Sequence, residues 1–310
     1  MESQFRIDSR PERNYKDTLF RMIFGREDEK SARWRMELYN ALSGKNHTNP
    51  ADLELTTIEN AIYITTKNDV SFLVDSQMTL YEHQSKTNKN MPLRGLMYFA
   101  QLYQMHLTRE EKDLFGGLVK IPVPQYVVFY NGDANLPETS ELKLSDAFDY
   151  PEIDTEEKGQ SYQKELKTKY EWTATVININ PEYNKGLHEK CNALYDYIKY
   201  VDRVKVNQKK GMSIKDAVDE AVSWAIKQNW LEGFFTKQKA EVTAVSLTEF
   251  DQELYDKNRR REGFEEGFES GAHEKAIEAA KNFLKEGDSP EKVARCVGLP
   301  LEEVQKLILN

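Results

Sequence analysis

The stretch Lys67–Met91, KNDVSFLVDSQMTLYEHQSKTNKNM, constrains this chain more than any other. Val70, Phe72 and Val74 alternate with Asp69, Ser71, Leu73 and Asp75. Further on, Met78, Leu80, Glu82 and Gln84 alternate with Thr79, Tyr81 and His83. Alternation with a period of two is the pattern of paired strands, whose successive side chains point to opposite faces. The polar run Asp75-Ser76-Gln77 supplies a turn between them. The reading is a β-hairpin in which Asp69 lies near Glu82 and Gln84, within reach of one shared ion.

Two carboxylates from neighbouring strands offer hard oxygen ligands, which suit Mg²⁺ or Mn²⁺. Gln84 projects from the same strand face as Glu82, and its amide can orient a water. A bound divalent ion acidifies its water and neutralises charge developing on a phosphate. Asp69, Glu82 and Gln84 are therefore candidate catalytic residues for phosphodiester hydrolysis, with Asp69 and Glu82 as the metal ligands. The spacing alone favours a solvated, charged hairpin edge over a metal site, because exposed charge is the norm. Lys86 and Lys89, in the polar loop Ser85–Asn90, are candidate DNA-contacting residues, or simply solubilising ones. Arg94 follows at the start of a helix opened by Pro92, and it can fork onto a phosphate or a carboxylate. Leu93, Leu96, Met97, Ala100 and Tyr103 form the stripe expected to be buried on that helix. His83 points away from Glu82 and Gln84 and reads as packing.

The wording of this region is more specific than its spacing. Asp69, the strand end Glu82-His83-Gln84-Ser85 and the helix start Met91-Pro92-Leu93-Arg94 resemble the PD-(D/E)XK nuclease superfamily. More narrowly, they resemble the bacterial family called recombination-promoting nuclease or "putative transposase". The resemblance extends to Tyr15–Gly25, Glu37–Gly44, Val127–Gly132 and the glycine-bearing acidic tail, and covers most of the chain. It implies a restriction-endonuclease-like α/β core, with a central mixed β-sheet flanked by helices. It also implies a metal-dependent DNA endonuclease associated with recombination or mobile elements. On this analogy the backbone carbonyl of His83 is an additional metal ligand, and Glu37, an acid of the first helices, is a candidate accessory acid. A solvated helix charge explains Glu37 as well. The sequence departs from the superfamily at Gln84, where the usual residue is Lys, although related members share the Gln. That departure supports an alternative: a weakly active or inactive nuclease-fold protein acting as a DNA-binding or oligomeric interaction module. No DDE-type triad is present, so strand transfer is not expected.

Composition narrows the rest. The 310 residues carry a net charge of −9 and 31% charged residues. A DNA partner must therefore be met by locally concentrated positive charge rather than by a uniformly basic surface. Cys191 and Cys296 lie far apart without metal-ligand spacing, which suits a reducing cytoplasm and gives no zinc site. No signal peptide and no apolar run long enough to span a bilayer is seen, so no membrane is expected. Neither a P-loop nor a GxSxG elbow occurs.

Three segments follow from the patterning: a nuclease-like core over 1–180, a helical cap over 181–254 and a helical tail over 255–310. The core reading includes a strand within Leu53–Thr65, where Glu54 and Glu59 lie, a strand in Lys120–Gly132, a loop-rich Asn131–Tyr150 and a strand in Glu171–Asn180. In the cap, Leu187–Val206 reads as one long helix and Ser213 as an N-cap. Trp230–Phe250 reads as a short helix. In the tail, Gly263, Gly267 and Gly271 recur every four residues and form one narrow helical stripe. Such a stripe permits close helix approach and a homo-oligomer through the tail, while a frayed charged linker fits it as well. The end, GDSPEKVARCVGLPLEEVQKLILN, has a helix-turn-helix outline, but Glu302 and Glu303 at the start of its second helix oppose phosphate.

Overall fold

The computed structural model describes residues 18–56, 69–149, 165–166 and 169–307, with the side chains of 252–272 left out of the description. The expected strand IENAIYIT with Glu59, the N-terminal stretch Met1–Arg13 and most of the charged insertion Asp154–Lys169 lie outside the described residues. The chain divides into two compact units, Met1–Glu249 and Phe250–Asn310.

The first unit is built on a six-stranded mixed sheet. Its strands are β1 (Glu54–Leu55), β2 (Val70–Val74), β3 (Gln77–Gln84), β4 (Val123–Tyr130), β5 (Thr139–Lys143) and β6 (Thr173–Asn178). They lie in the order β1-β2-β3-β4-β6-β5. The expected hairpin is β2–β3, antiparallel, with Val70 opposite Tyr81 and Val74 opposite Gln77. Its turn is the two-residue Asp75-Ser76, both with positive φ (49° and 57°). That geometry matches the right-handed twist of the strands it joins. β3 then pairs with β4, and β4 with β6, in parallel. In β4 the residues from Tyr126 to Tyr130 are buried on both faces, as a central parallel strand requires. β5 was not expected: Asn131–Tyr150 read as loop, because Thr139–Lys143 is polar and alternates between exposed and half-buried. It is an edge strand bonded only to β6, so its outer side stays in water.

Helices cover both faces of this sheet, giving a restriction-endonuclease-like α/β architecture. On one face lies α3 (Met91–Arg109), whose Met91, Tyr98, Phe99 and Leu102 pack with Met78, Leu80, Tyr126, Val128 and Val176. On the other lie α1 (Leu19–Phe24), α2 (Glu29–Ser43) and the helix Asn192–Lys209. There Phe20 meets Phe129 with ring centroids 5.4 Å apart, Tyr39 meets Phe72 at 5.7 Å and Phe20 meets Tyr197 at 5.9 Å. The cap helices belong to the same compact unit as the sheet. The expected single helix Leu187–Val206 is two, α4 (Lys185–Lys190) and α5 (Asn192–Lys209), broken at Cys191, which is extended and fully buried. α6 (Ile214–Lys227) follows with Ser213 as its N-cap, the hydroxyl accepting from the Asp216 amide.

Most of the stripe expected to be buried on α3 faces outward, Ala100 included, while Tyr103 is half-buried and packs against the core. Leu93, Leu96 and Met97 are exposed, and the buried side is Met91, Gly95, Tyr98, Phe99 and Leu102. Gly95 decides the rotation, because a Cβ there would come within 2.4 Å of the Tyr126 ring. Only this glycine side lets the helix axis approach the sheet so closely.

After α7 (Phe234–Lys237), α8 runs unbroken from Lys239 to Lys285, longer than the short helix expected to end at Phe250. No proline or cap interrupts its good helix formers there. In the second unit, α9 (Pro290–Val297) and α10 (Leu301–Lys306) enclose a small core of Ala280, Val293, Ala294, Leu299 and Val304.

Candidate active site

The hairpin register carries through to the residues just beyond it. Val70 lies opposite Tyr81, so Asp69 lies opposite Glu82 on the same side of the sheet. Both are deeply buried, at 7% and 2% exposure. Asp69 is fully engaged. Its Oδ1 accepts from the Thr18 hydroxyl at 3.0 Å and its Oδ2 from the His83 backbone N–H at 2.6 Å. Thr18 also caps α1 by accepting from the Arg21 amide at 3.1 Å, so one hydroxyl ties that helix start to the acid. Burial raises the Asp69 pKa, and these two hydrogen bonds oppose the rise.

Glu82 is held differently. Its Oε2 accepts from Arg94 Nη2 at 3.3 Å, and its Oε1 is buried without a hydrogen-bond partner. Arg94 Nη2 also donates to the Tyr98 hydroxyl at 3.1 Å. Burial, then the Asp69 carboxylate beside it, push the Glu82 carboxyl up to about 8 against the pull of Arg94. Two carboxyls in one dry site repel, so each disfavours the other's ionisation.

The other sequence candidates distribute around this pair. Gln84 ends β3 opposite Tyr130, half-buried, and its carbonyl accepts from the Asn131 amide at 3.2 Å. The His83 side chain packs on the opposite face, stacked on Phe20 at 5.8 Å with its Nε2 3.0 Å from the Tyr197 hydroxyl. Desolvation there pushes its pKa down to about 4. Lys86 is half-buried and Lys89 exposed, both in the loop between β3 and α3. Glu37 sits on α2 with its pKa raised by burial, and the charges acting on it are Arg33 and Glu232. The charges that act most on Asp69 are Arg94 and Arg21, and on Glu82 they are Asp69 and Arg94, so Glu37 is not a principal influence on either.

Sequence reading missed three participants. Thr18 had a local signal as an N-cap, but its bond to Asp69 spans 51 residues. Tyr98 had none beyond helical spacing. Tyr126 feels Glu82 and Arg94 electrostatically, and its hydroxyl is buried without a partner.

A divalent ion at this pair would meet few protein ligands. Among the described residues no group of three or more His, Cys, Asp or Glu gathers. The pair nevertheless offers two carboxylates on adjacent strands, one with an orphaned buried oxygen. A partnerless acceptor in a dry site is costly, and an ion removes that cost. The residues fit one hard cation held by Asp69 and Glu82.

Fold and paired acids together define a restriction-endonuclease-like α/β protein. The chain belongs to the family described as "Putative transposase, YhgA-like", which matches residues 15–210. It is also similar to the "Inactive recombination-promoting nuclease-like protein RpnE" of Escherichia coli (strain K12), with 25% identity over 216 residues, 66% of this chain and 66% of that one. The chain thus spans just under two thirds of that relative's length. No solved structure matches. Among the described residues, no helix is long and apolar enough to cross a membrane.

Proposed function

We propose that this protein is a metal-dependent DNA endonuclease using Mg²⁺ or Mn²⁺. The observation that carries this reading is the apposition of Asp69 and Glu82, with Glu82 Oε1 lacking any partner. Asp69 and Glu82 would hold the ion, with the His83 carbonyl as a further oxygen. When bound, the ion supplies an acidified water and neutralises charge on the scissile phosphate. Thr18 and the His83 amide orient Asp69, Gln84 at the strand end positions water, and Arg94, Lys86 and Lys89 supply positive charge for the DNA backbone. The tail supplies self-association.

A second reading has its own observation. Arg94 already neutralises Glu82, and Gln84 stands where the superfamily has Lys. A nuclease-fold protein that binds DNA without efficient cleavage fits these two residues, and the relative's name describes it as inactive.

Plasmid nicking in Mg²⁺, Mn²⁺ and EDTA separates the two. The expected result is nicking with either ion, none in EDTA, and a loss of about 100-fold or more in Glu82→Ala. A folded Glu82→Ala protein that cuts as fast as wild type would end the mechanism. Duplex binding without nicking by wild type would put the binding module in its place.

A further inference from the structure

Arg94 is the more exposed member of its pair with Glu82. In their ion pair the Arg94 side chain is 22% exposed and that of Glu82 only 3%. An anion approaching from solvent can reach the guanidinium, whose positive charge disfavours a free cation beside Glu82. The guanidinium makes single contacts, and its Cζ lies 5.8 Å from the Tyr98 ring centroid. Nη2 shares itself between Glu82 at 3.3 Å and the Tyr98 hydroxyl at 3.1 Å, and Nη1 lies 3.5 Å from the Met91 sulfur. None of these is the two-pronged fork that arginine makes with a carboxylate or phosphate. A phosphodiester offers that fork. The backbone beneath is fixed by the buried Met91, Tyr98, Phe99 and Leu102 and by the Gly95–Tyr126 contact. The position of the helix therefore does not depend on which partner the guanidinium takes.

We propose that Arg94 is a gate on the ion site, opened by the DNA phosphate. Paired with Glu82, it keeps that carboxylate neutralised. A backbone phosphate that captures the guanidinium releases Glu82 to take the ion. The inference rests on Asp69 and Glu82 as the ion site. Ion and DNA then bind with positive coupling, and by linkage each raises the other's affinity by the same factor.

Mn²⁺ binding, followed by the electron paramagnetic resonance of the free ion, tests this without any cleavage readout. Wild type is titrated with and without a short DNA duplex, and Glu82→Gln with the same duplex subtracts ions held elsewhere. The Glu82-dependent affinity of wild type is expected to rise about tenfold or more with duplex, within the usual range of coupling. Arg94→Gln should bind Mn²⁺ without duplex at least as tightly as wild type binds it with duplex. The reciprocal measurement needs only wild type: duplex affinity by fluorescence anisotropy should rise by the same factor when Mn²⁺ is added, so the test survives an Arg94→Gln protein that fails to fold. Wild-type Mn²⁺ affinity unchanged by duplex, or a folded Arg94→Gln protein binding as weakly as duplex-free wild type, would overturn the gate and leave the ion site standing. Absence of Glu82-dependent Mn²⁺ binding under every condition would instead overturn the ion site itself.

Discussion

Burial, and then the Asp69 carboxylate beside it, raise the Glu82 pKa, and this gives the protein a pH signature. Its folded pKa of about 8 lies above the ordinary 4.5. The folded state thus keeps a proton that the unfolded chain has lost. The stability this contributes is complete below 4.5 and is lost as the pH rises to about 8. His83 acts in the opposite sense: pushed down to about 4 from 6.5, it weakens the fold as the pH falls through that interval. Comparing wild type with Glu82→Gln isolates the first effect, since the amide does not titrate. The Gln variant should gain stability relative to wild type steadily between pH 4.5 and about 8, as read from thermal melts in EDTA. A gap that stays constant with pH would show that Glu82 is not the buried acid described here. Gln84 is a milder position. Gln84→Lys keeps a long polar side chain on the same strand face, so its nicking rate in Mn²⁺ should change only moderately in either direction, while Glu82→Ala nearly abolishes it. Near-abolition by Gln84→Lys would mean that the amide does more than orient water.

At the scale of elements, α3 matters most. Gly95 lets the helix press onto Tyr126 and thereby turns Arg94 toward Glu82. In an ordinary helix Gly→Ala stabilises by about 1 kcal/mol. Here the added methyl meets a ring at 2.4 Å, so Gly95→Ala should instead destabilise by about 1–3 kcal/mol, as overpacked cores do. Urea unfolding measures this, and a stabilised Gly95→Ala protein would contradict the packing of α3 on the sheet. The hairpin is more self-contained. Its two-residue turn and the register it sets put Asp69 opposite Glu82 with little help from elsewhere.

At the scale of the molecule, the chain is two compact units, the second with its own small core around Val293 and Val304. Gly263, Gly267 and Gly271 lie within the continuous helix Lys239–Lys285. Removing residues 255–310 should lower the number of chains per particle found by light scattering while leaving the unfolding transition of the first unit in place. An unchanged number of chains per particle at matched concentration would remove self-association through the tail.

The sequence by itself determined the hairpin, the strand Val123–Tyr130 with its buried run from Tyr126, the N-cap at Ser213, Pro92 in the first turn of its helix, and the apposition of Asp69 and Glu82. These follow from period-two alternation, turn residues and capping groups, all of which act over a few residues. It did not determine the polar edge strand Thr139–Lys143, because a strand bonded on one side needs no apolar alternation to hold it. Nor did it determine the rotation of α3. Leu93, Leu96 and Met97 satisfy the helical period as well as Met91, Tyr98 and Phe99 do, and a helix in isolation has no reason to prefer one stripe. The sheet made that choice, because only the side bearing Gly95 fits against Tyr126. The same rotation set Arg94 over Glu82, and Thr18 reached Asp69 across 51 residues. Those contacts depend on how closely backbones approach in space, a quantity that local spacing does not encode.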